Sequence, residues 1–137
     1  MARVLIVERA GRARAVAERL AEHDFALREV AGDRLLPGDV VGALEGVTVV
    51  CWLMGAGKDL DPEINGEQLE TVLLKVVDTG VRGFVFERPD GQSNAHVEHA
   101  RATWHIPIAE VEADPAGGEQ WASAVATAVG STLGVAC

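Results

Sequence analysis

The chain contains no tyrosine, three tryptophans, three phenylalanines and two cysteines among its 137 residues. Without tyrosine, chemistry that needs a phenol as general acid or base is excluded. Two thiols do not make a disulfide framework. Cys51 lies inside an apolar run and Cys137 is the last residue, so reduced thiols and a cytoplasmic location are expected. Positive charge is scarce, with 12 Lys and Arg against 21 Asp and Glu, a net charge of −9. That balance argues against a general nucleic-acid binder or a binder of anionic membranes. The scarcity is uneven: residues 1–36 hold seven Arg against six acids, whereas residues 37–137 hold five bases against fifteen acids. No signal-peptide pattern opens the chain, since it enters a strand-like run at once. The longest membrane-like stretch, Trp121 to Cys137, is short for a span and carries Ser123, Thr127, Ser131 and Thr132, so a packed terminal helix is expected.

What is present is organised around residues 44–87. Val47 to Leu53 is an apolar, β-branched run that ends at Gly55-Ala56-Gly57. A polar loop from Lys58 to Glu63 follows. Asn65 has Gln68 at the capping-box position of a helix that sets Leu69, Val72, Leu73, Val76 and Val77 on one face and stops at Gly80. Gly83 to Phe86 is a second apolar run. Strand, crossover helix, strand is the unit of a parallel sheet.

The flanking chain repeats the alternation. Val4 to Val7 is a buried-type strand, and Arg12 to His23 is a helix with Ala13, Val16, Ala17 and Leu20 at helical spacing. Phe25 to Val30 is a strand, Gly32-Asp33 a turn and Pro37 to Leu44 a short helix. Pro89-Asp90-Gly91 is turn chemistry. Then come a helix from Asn94 to Thr103, a strand from Ile106 to Val111 and a helix from Glu119 to Leu133. No repeat or long linker interrupts this order. The expectation is one α/β domain over residues 1–137: a three-layer αβα sandwich around a five-stranded, mostly parallel, doubly wound, Rossmann-like sheet.

Several residues invite a chemical reading. Arg9, Arg12 and Arg14 lie where a helix N-terminus faces the sheet's carboxyl edge, and with Gly11 could hold an anion; a solvated, ion-paired face is the plainer reading. Gly55-Ala56-Gly57 ends the central strand, at the crevice where open sheets bind ligands, or is simply a tight turn. His96 and His99 share a helix face with Glu98 between them and His105 beyond, but no third ligand is fixed by spacing, and a surface face without metal is expected. Glu87 is either a general base or the partner of Arg88, Arg82 or Arg9. Cys51 reads as an inert core thiol and Trp52 as the wall of a pocket or interface. Trp104 and Trp121 read as covers of a sheet edge. Ala122, Ala126, Val129 and Leu133 form the core face of the last helix.

The segment Ala43-Leu44-Glu45-Gly46-Val47-Thr48-Val49-Val50, the run Asn65-Gly66 through Leu69, Leu73 and Leu74, and Gly80-Val81-Arg82-Gly83-Phe84-Val85 together resemble the NAD(P)-binding domain of extended and atypical short-chain dehydrogenase/reductase proteins, the epimerase/dehydratase and NmrA-like group. The resemblance covers roughly residues 3–112 and puts Asp33 at that family's acidic turn. It implies that NAD or NADP would meet Arg9, Gly11, Arg12, Asp33, Gly55, Ala56 and Gly57. The departures are large. The first turn keeps only Gly11 of a glycine-rich fingerprint. The family's catalytic Tyr-x-x-x-Lys cannot exist here, Glu87 stands where its Ser belongs, and its substrate subdomain is missing. The short second connection removes one strand of the 3-2-1-4-5-6 order and leaves 2-1-3-4-5, which is flavodoxin-like.

These readings lead to a non-catalytic, Rossmann-like module for small ligands or protein partners, with no catalytic residue and any nucleotide held weakly. The alternative is an atypical NAD(P)-dependent oxidoreductase or epimerase that works without the Tyr. A flavodoxin-like or response-regulator-like signalling domain ranks third, because an acidic pair and an acceptor Asp are replaced by Glu8 alone and Met54-Gly55. A homodimer is expected, through the helix from Glu119, with Trp121, Gly130 and Gly134, or through the helix from Asn65.

Overall fold

The computed structural model of the protein describes residues 2–8, 13–32, 37–54, 68–88, 94–112 and 118–134. Its elements are β1 (Arg3–Glu8), α1 (Arg14–Glu22), β2 (Ala26–Ala31), a 3-10 turn (Pro37–Asp39) leading into α2 (Val40–Leu44), β3 (Val49–Leu53), α3 (Leu69–Val77), β4 (Gly83–Arg88), α4 (Ala95–Thr103), β5 (Ile108–Glu112) and α5 (Glu119–Leu133). The strands form one sheet of order β2-β1-β3-β4-β5, and every neighbouring pair is parallel. This is the expected α/β sandwich in the expected 2-1-3-4-5 order.

Strand alternation sorts the core into two layers. Val4, Ile6, Val49, Cys51, Leu53 and Val85 pack with Val16 and Leu20 of α1 and Ala122, Val125 and Val129 of α5. Leu5, Val7, Val50, Trp52, Phe84 and Phe86 pack with α2, with Leu69, Val72, Leu73 and Val76 of α3, and with Val97 and Ala100 of α4. Both faces of β1, β3 and β4 are therefore dry, which is why these strands read as continuous apolar runs rather than alternating ones.

Local rules set several joints. Asn94 caps α4, its side-chain carbonyl accepting from the amides of His96 (2.9 Å) and Val97 (3.3 Å). Gly134 ends α5 at φ +73°, a left-handed C-cap suited to glycine. Gly83 is needed for a different reason: a Cβ there would stand 2.5 Å from the Cβ and Oγ1 of Thr132, so α5 lies almost directly on the backbone of β4.

Two expectations are corrected. Val77 does not share the buried face of α3; it is 44% exposed, and Leu74 is 45% exposed. At about 100° per residue, Val77 falls roughly 90° from the centre of the stripe made by Leu69, Val72, Leu73 and Val76. Trp52 walls no surface pocket or interface, because it is fully buried between the sheet and α2–α4. A central strand covered on both sides turns every residue inward, whichever face it points to. Of the expected capping pair, Asn65 lies outside the described residues, and Gln68 stands at the N-terminal boundary of α3 rather than within its first turn.

Candidate functional site

In a 2-1-3-4-5 sheet the chain passes from β1 to β2 on one side and then returns past β1 to β3 on the other, and the crevice at the carboxyl ends of β1 and β3 is the place where such sheets take ligands. Here those ends are Glu8 and the pair Leu53-Met54, with Glu8 in register with Leu53 and Ala31. Glu8 shares the α1/α5 side of the sheet with Ile6 and Leu53. One of its carboxylate oxygens is shut from water and has no hydrogen-bond partner. A carboxylate accepts several hydrogen bonds, and leaving one oxygen dry and unpaired is costly.

The opposite side of this edge is tightly closed. The position of a Cβ on Gly32, just after β2, is already taken by the side chain of Met54, which is itself 1% exposed. Gln68, at the start of α3, donates from Nε2 to the Gly32 carbonyl at 2.5 Å. The ends of β2 and β3 and the start of α3 are thus pinned together on the α3 side of this edge, and the Glu8 carboxylate stands on the α1 side.

Glu87, 1% exposed, also lies at the carboxyl edge. The register Trp52↔Phe86 sets it one step on, level with Leu53 and Glu8. Two strand spacings separate the backbones of Glu8 and Glu87, roughly 9–10 Å. Glu87 has a polar interaction of its own. Arg88 points to the other face and meets Glu112 of β5 at 3.8 Å.

The remaining candidates separate cleanly. Arg14 pairs with Glu18 at 3.4 Å, both side chains well exposed, as a solvated face would have it. Arg9, Gly11, Arg12, Asp33, Gly55, Ala56 and Gly57 all lie outside the described residues. His96 meets Glu70 of α3 at 2.9 Å through Nδ1, whereas the His99 ring stands edge-on to Trp104 at 5.1 Å. Both histidines line a cavity of about 200 Å³ between α3 and α4. His105 makes the turn after α4 at φ +54°. Among the described residues no group of three or more His, Cys, Asp or Glu is placed to hold a metal ion. Burial pushes the Cys51 thiol far above its ordinary range, which leaves it un-ionised and unreactive. Trp121 packs beside β5, where a cover for the sheet edge was expected. The residues that sequence reasoning missed are Gln68, read only as a helix cap, and Glu8, noted only as half of a missing pair. The signal for Glu8 was a charged residue finishing a strand of otherwise buried positions.

No family model matches the chain, and no curated protein matches it. Among solved structures it is similar to rubredoxin oxygen:oxidoreductase from the anaerobe Desulfovibrio gigas, with a TM-score of 0.56 and 13% identity over 96% of this chain. The chain spans 36% of that structure's length. This likeness is one of fold and agrees with the flavodoxin-like strand order. It overturns the resemblance to the short-chain dehydrogenase/reductase group and, with it, the reading of the chain as a relative of NAD(P)-binding epimerases, catalytic or not. The physical reason is that the shared motifs are generic. Leu-Glu-Gly-Val-Thr-Val-Val is a left-handed glycine just past a helix followed by a two-face-buried parallel strand, and Gly-Val-Arg-Gly-Phe-Val is the entry to another such strand, as any doubly wound sheet requires; α3 itself ends earlier than expected, at Val77 rather than Gly80. No helix among the described residues is long and apolar enough to cross a membrane.

Proposed function

We propose that the protein is a flavodoxin-like binding domain whose carboxyl edge takes a mononucleotide between β1 and β3. The observation that carries this reading is the dry, unpartnered carboxylate oxygen of Glu8 at the switch point of the sheet. A ligand hydroxyl, such as that of a ribose or ribityl chain, donates to this oxygen. Arg9 and Arg12, which follow Glu8 in the chain, supply the cations for a phosphate, with Gly11 leaving room for its approach. Flavin mononucleotide is the ligand that flavodoxin, whose sheet has this order, holds at that point. Its sugar and phosphate suit these residues. Its ring finds no stacking partner in Trp52 or Phe86, which are fully buried. The proposal is therefore for the sugar–phosphate part, and the redox activity in the neighbour's name is not carried over.

Thermal-shift and calorimetric titration with flavin mononucleotide, AMP, ATP and inorganic phosphate tests it. A mononucleotide should stabilise the protein more than phosphate does, with micromolar-to-millimolar affinity, roughly 4–8 kcal/mol. Glu8→Gln should weaken that binding by about tenfold or more, the worth of a hydrogen bond to a charged group. No gain over phosphate, or full affinity in Glu8→Gln, would end the proposal.

A second copy is the proposed partner, and exposed Leu74 and Val77 favour α3 as the shared face over α5, whose Trp121 is 4% exposed and packed inward. Light scattering at micromolar concentration should give a dimer that Leu74→Glu splits; a monomer of 14.5 kDa throughout removes the idea.

A further inference from the structure

β5 is an edge strand, and the ladder to β4 uses only half of its backbone. Phe84 donates to the Pro107 carbonyl at 3.0 Å, and with Phe84 in register with Ile108 the parallel pattern commits the amides and carbonyls of Ala109 and Val111 to β4. Those of Ile108, Glu110 and Glu112 face away from the sheet. The Ile108 carbonyl takes Arg101 at 3.1 Å. Among the described residues, the outward amide and carbonyl groups of Glu110 and Glu112 remain as a template for another strand.

Beside this edge runs an open groove of about 710 Å³ between β5 and α5. Its floor on the α5 side is Trp121, Ala124, Thr127 and Ala128, short side chains apart from one inward-packed indole. No described residue lining it is basic. Ala109 and Val111 belong to the α1/α5 layer, so alternation puts Glu110 and Glu112 on the opposite side of the same edge. Both carboxylates keep capacity for a donor. Glu110 meets Arg101 at 3.4 Å, yet its other oxygen is dry and without a hydrogen-bond partner. Glu112 is 84% exposed and meets Arg88 only at 3.8 Å, beyond hydrogen-bond reach.

We infer that the β5 edge is a docking site for an extended segment of another protein, added as a sixth strand, in which apolar and basic residues alternate. Alternation in a strand sends successive side chains to opposite faces. One set lies in the small-residue groove against α5, and the other meets Glu110 and Glu112. Outward-facing amides and carbonyls of β5 supply the main-chain pairing, and the two faces supply the selectivity. A second copy of this chain suits the edge poorly. Two-fold pairing of β5 with itself is antiparallel and, centred within the strand's acidic half, sets Glu110 opposite either its own copy or Glu112 of the second copy, and like charges opposed across a strand pair are destabilising.

The test uses a fluorescein-labelled octapeptide of alternating lysine and valine, read by anisotropy. It should bind the whole protein, and an octapeptide of alternating glutamate and valine should bind at least about tenfold more weakly. N-methylation of alternate peptide residues, on the edge that faces β5, should abolish binding, because it removes the main-chain donors that adhesion to an acidic surface does not need. Thr127→Trp, which fills the groove at an exposed position, should abolish binding with the melting temperature unchanged. If that variant does not fold, Ala124→Leu at the neighbouring exposed position serves in its place. Glu112→Lys should weaken binding roughly 2- to 5-fold, the worth of an exposed ion pair. No binding of the basic peptide up to about 1 mM overturns the proposal. So does equal binding of the N-methylated peptide, or a dimer that dissociates in Thr127→Trp, which would make a second copy the occupant of the edge.

Discussion

Strand β3 runs through the middle of the sheet and β5 along its rim, and the two five-residue strands follow different rules. Every residue of β3, Val49 to Leu53, is buried, and both neighbours use its backbone. In β5 only Val111 is buried, acidic residues hold two of the five places, and half of the backbone faces outward. The difference teaches that one sheet holds two kinds of strand. The centre is fixed by the hydrophobic effect acting on both faces. The rim is fixed by one neighbour, one helix and a set of arginines. Stability belongs to the first kind, and open chemistry to the second.

The comparison can be tested by changing side chains at the centre, beside it and at the rim. Trp52→Ala should have the largest effect, a loss of about 3–5 kcal/mol, because a fully buried indole leaves a cavity that two layers cannot close. Gly83→Val comes next. Thr132 is fixed by its hydroxyl donating to the Val129 carbonyl at 2.8 Å and cannot turn away freely, so α5 must shift off β4 at a cost of about 1–3 kcal/mol. Ile108→Val at the half-buried rim should be the smallest, about 0.5 kcal/mol or less. Urea unfolding with a common slope measures all three. An Ile108→Val loss equal to that of Trp52→Ala would show that the rim is held as firmly as the centre.

Much of the fold was legible in the sequence for reasons that particular residues make plain. Val4 to Val7 and Val47 to Leu53 are unbroken apolar runs because both of their faces are covered. Leu69, Val72, Leu73 and Val76 lie on one helical stripe, and the structure buries all four. The strand order followed from the short connection between β2 and β3, with space for one brief helix, even though the ancestry that suggested it was overturned. Val77 was misplaced because a list of apolar residues at three- and four-residue steps drifts round the helix. The rim of β5 was not legible at all. Ile106 to Val111 reads as a strand, but nothing in residue identity says which of a strand's two edges lacks a neighbour. The carboxyl-edge crevice was legible as a place, from the strand order. The pinning of Gly32 by Met54 and Gln68 was not, since it joins residues far apart in the chain through side-chain shape.

The burial of Cys51 turns the molecule into its own timepiece. Its thiol sits at 0% exposure in the middle strand, bracketed by β1 and β4, so no fraying of an end or a rim uncovers it. Reagent reaches that sulfur only in molecules whose sheet has come apart. With Cys137 replaced by serine, the modification rate of the remaining thiol counts those openings one by one. Where reclosing outruns the reagent, the rate reports the population of the opened state; where the reagent outruns reclosing, it reports the rate of opening. A ligand seated at Glu8 or a strand added at β5 would be read on the same clock as a slower tick, without any label placed at either site.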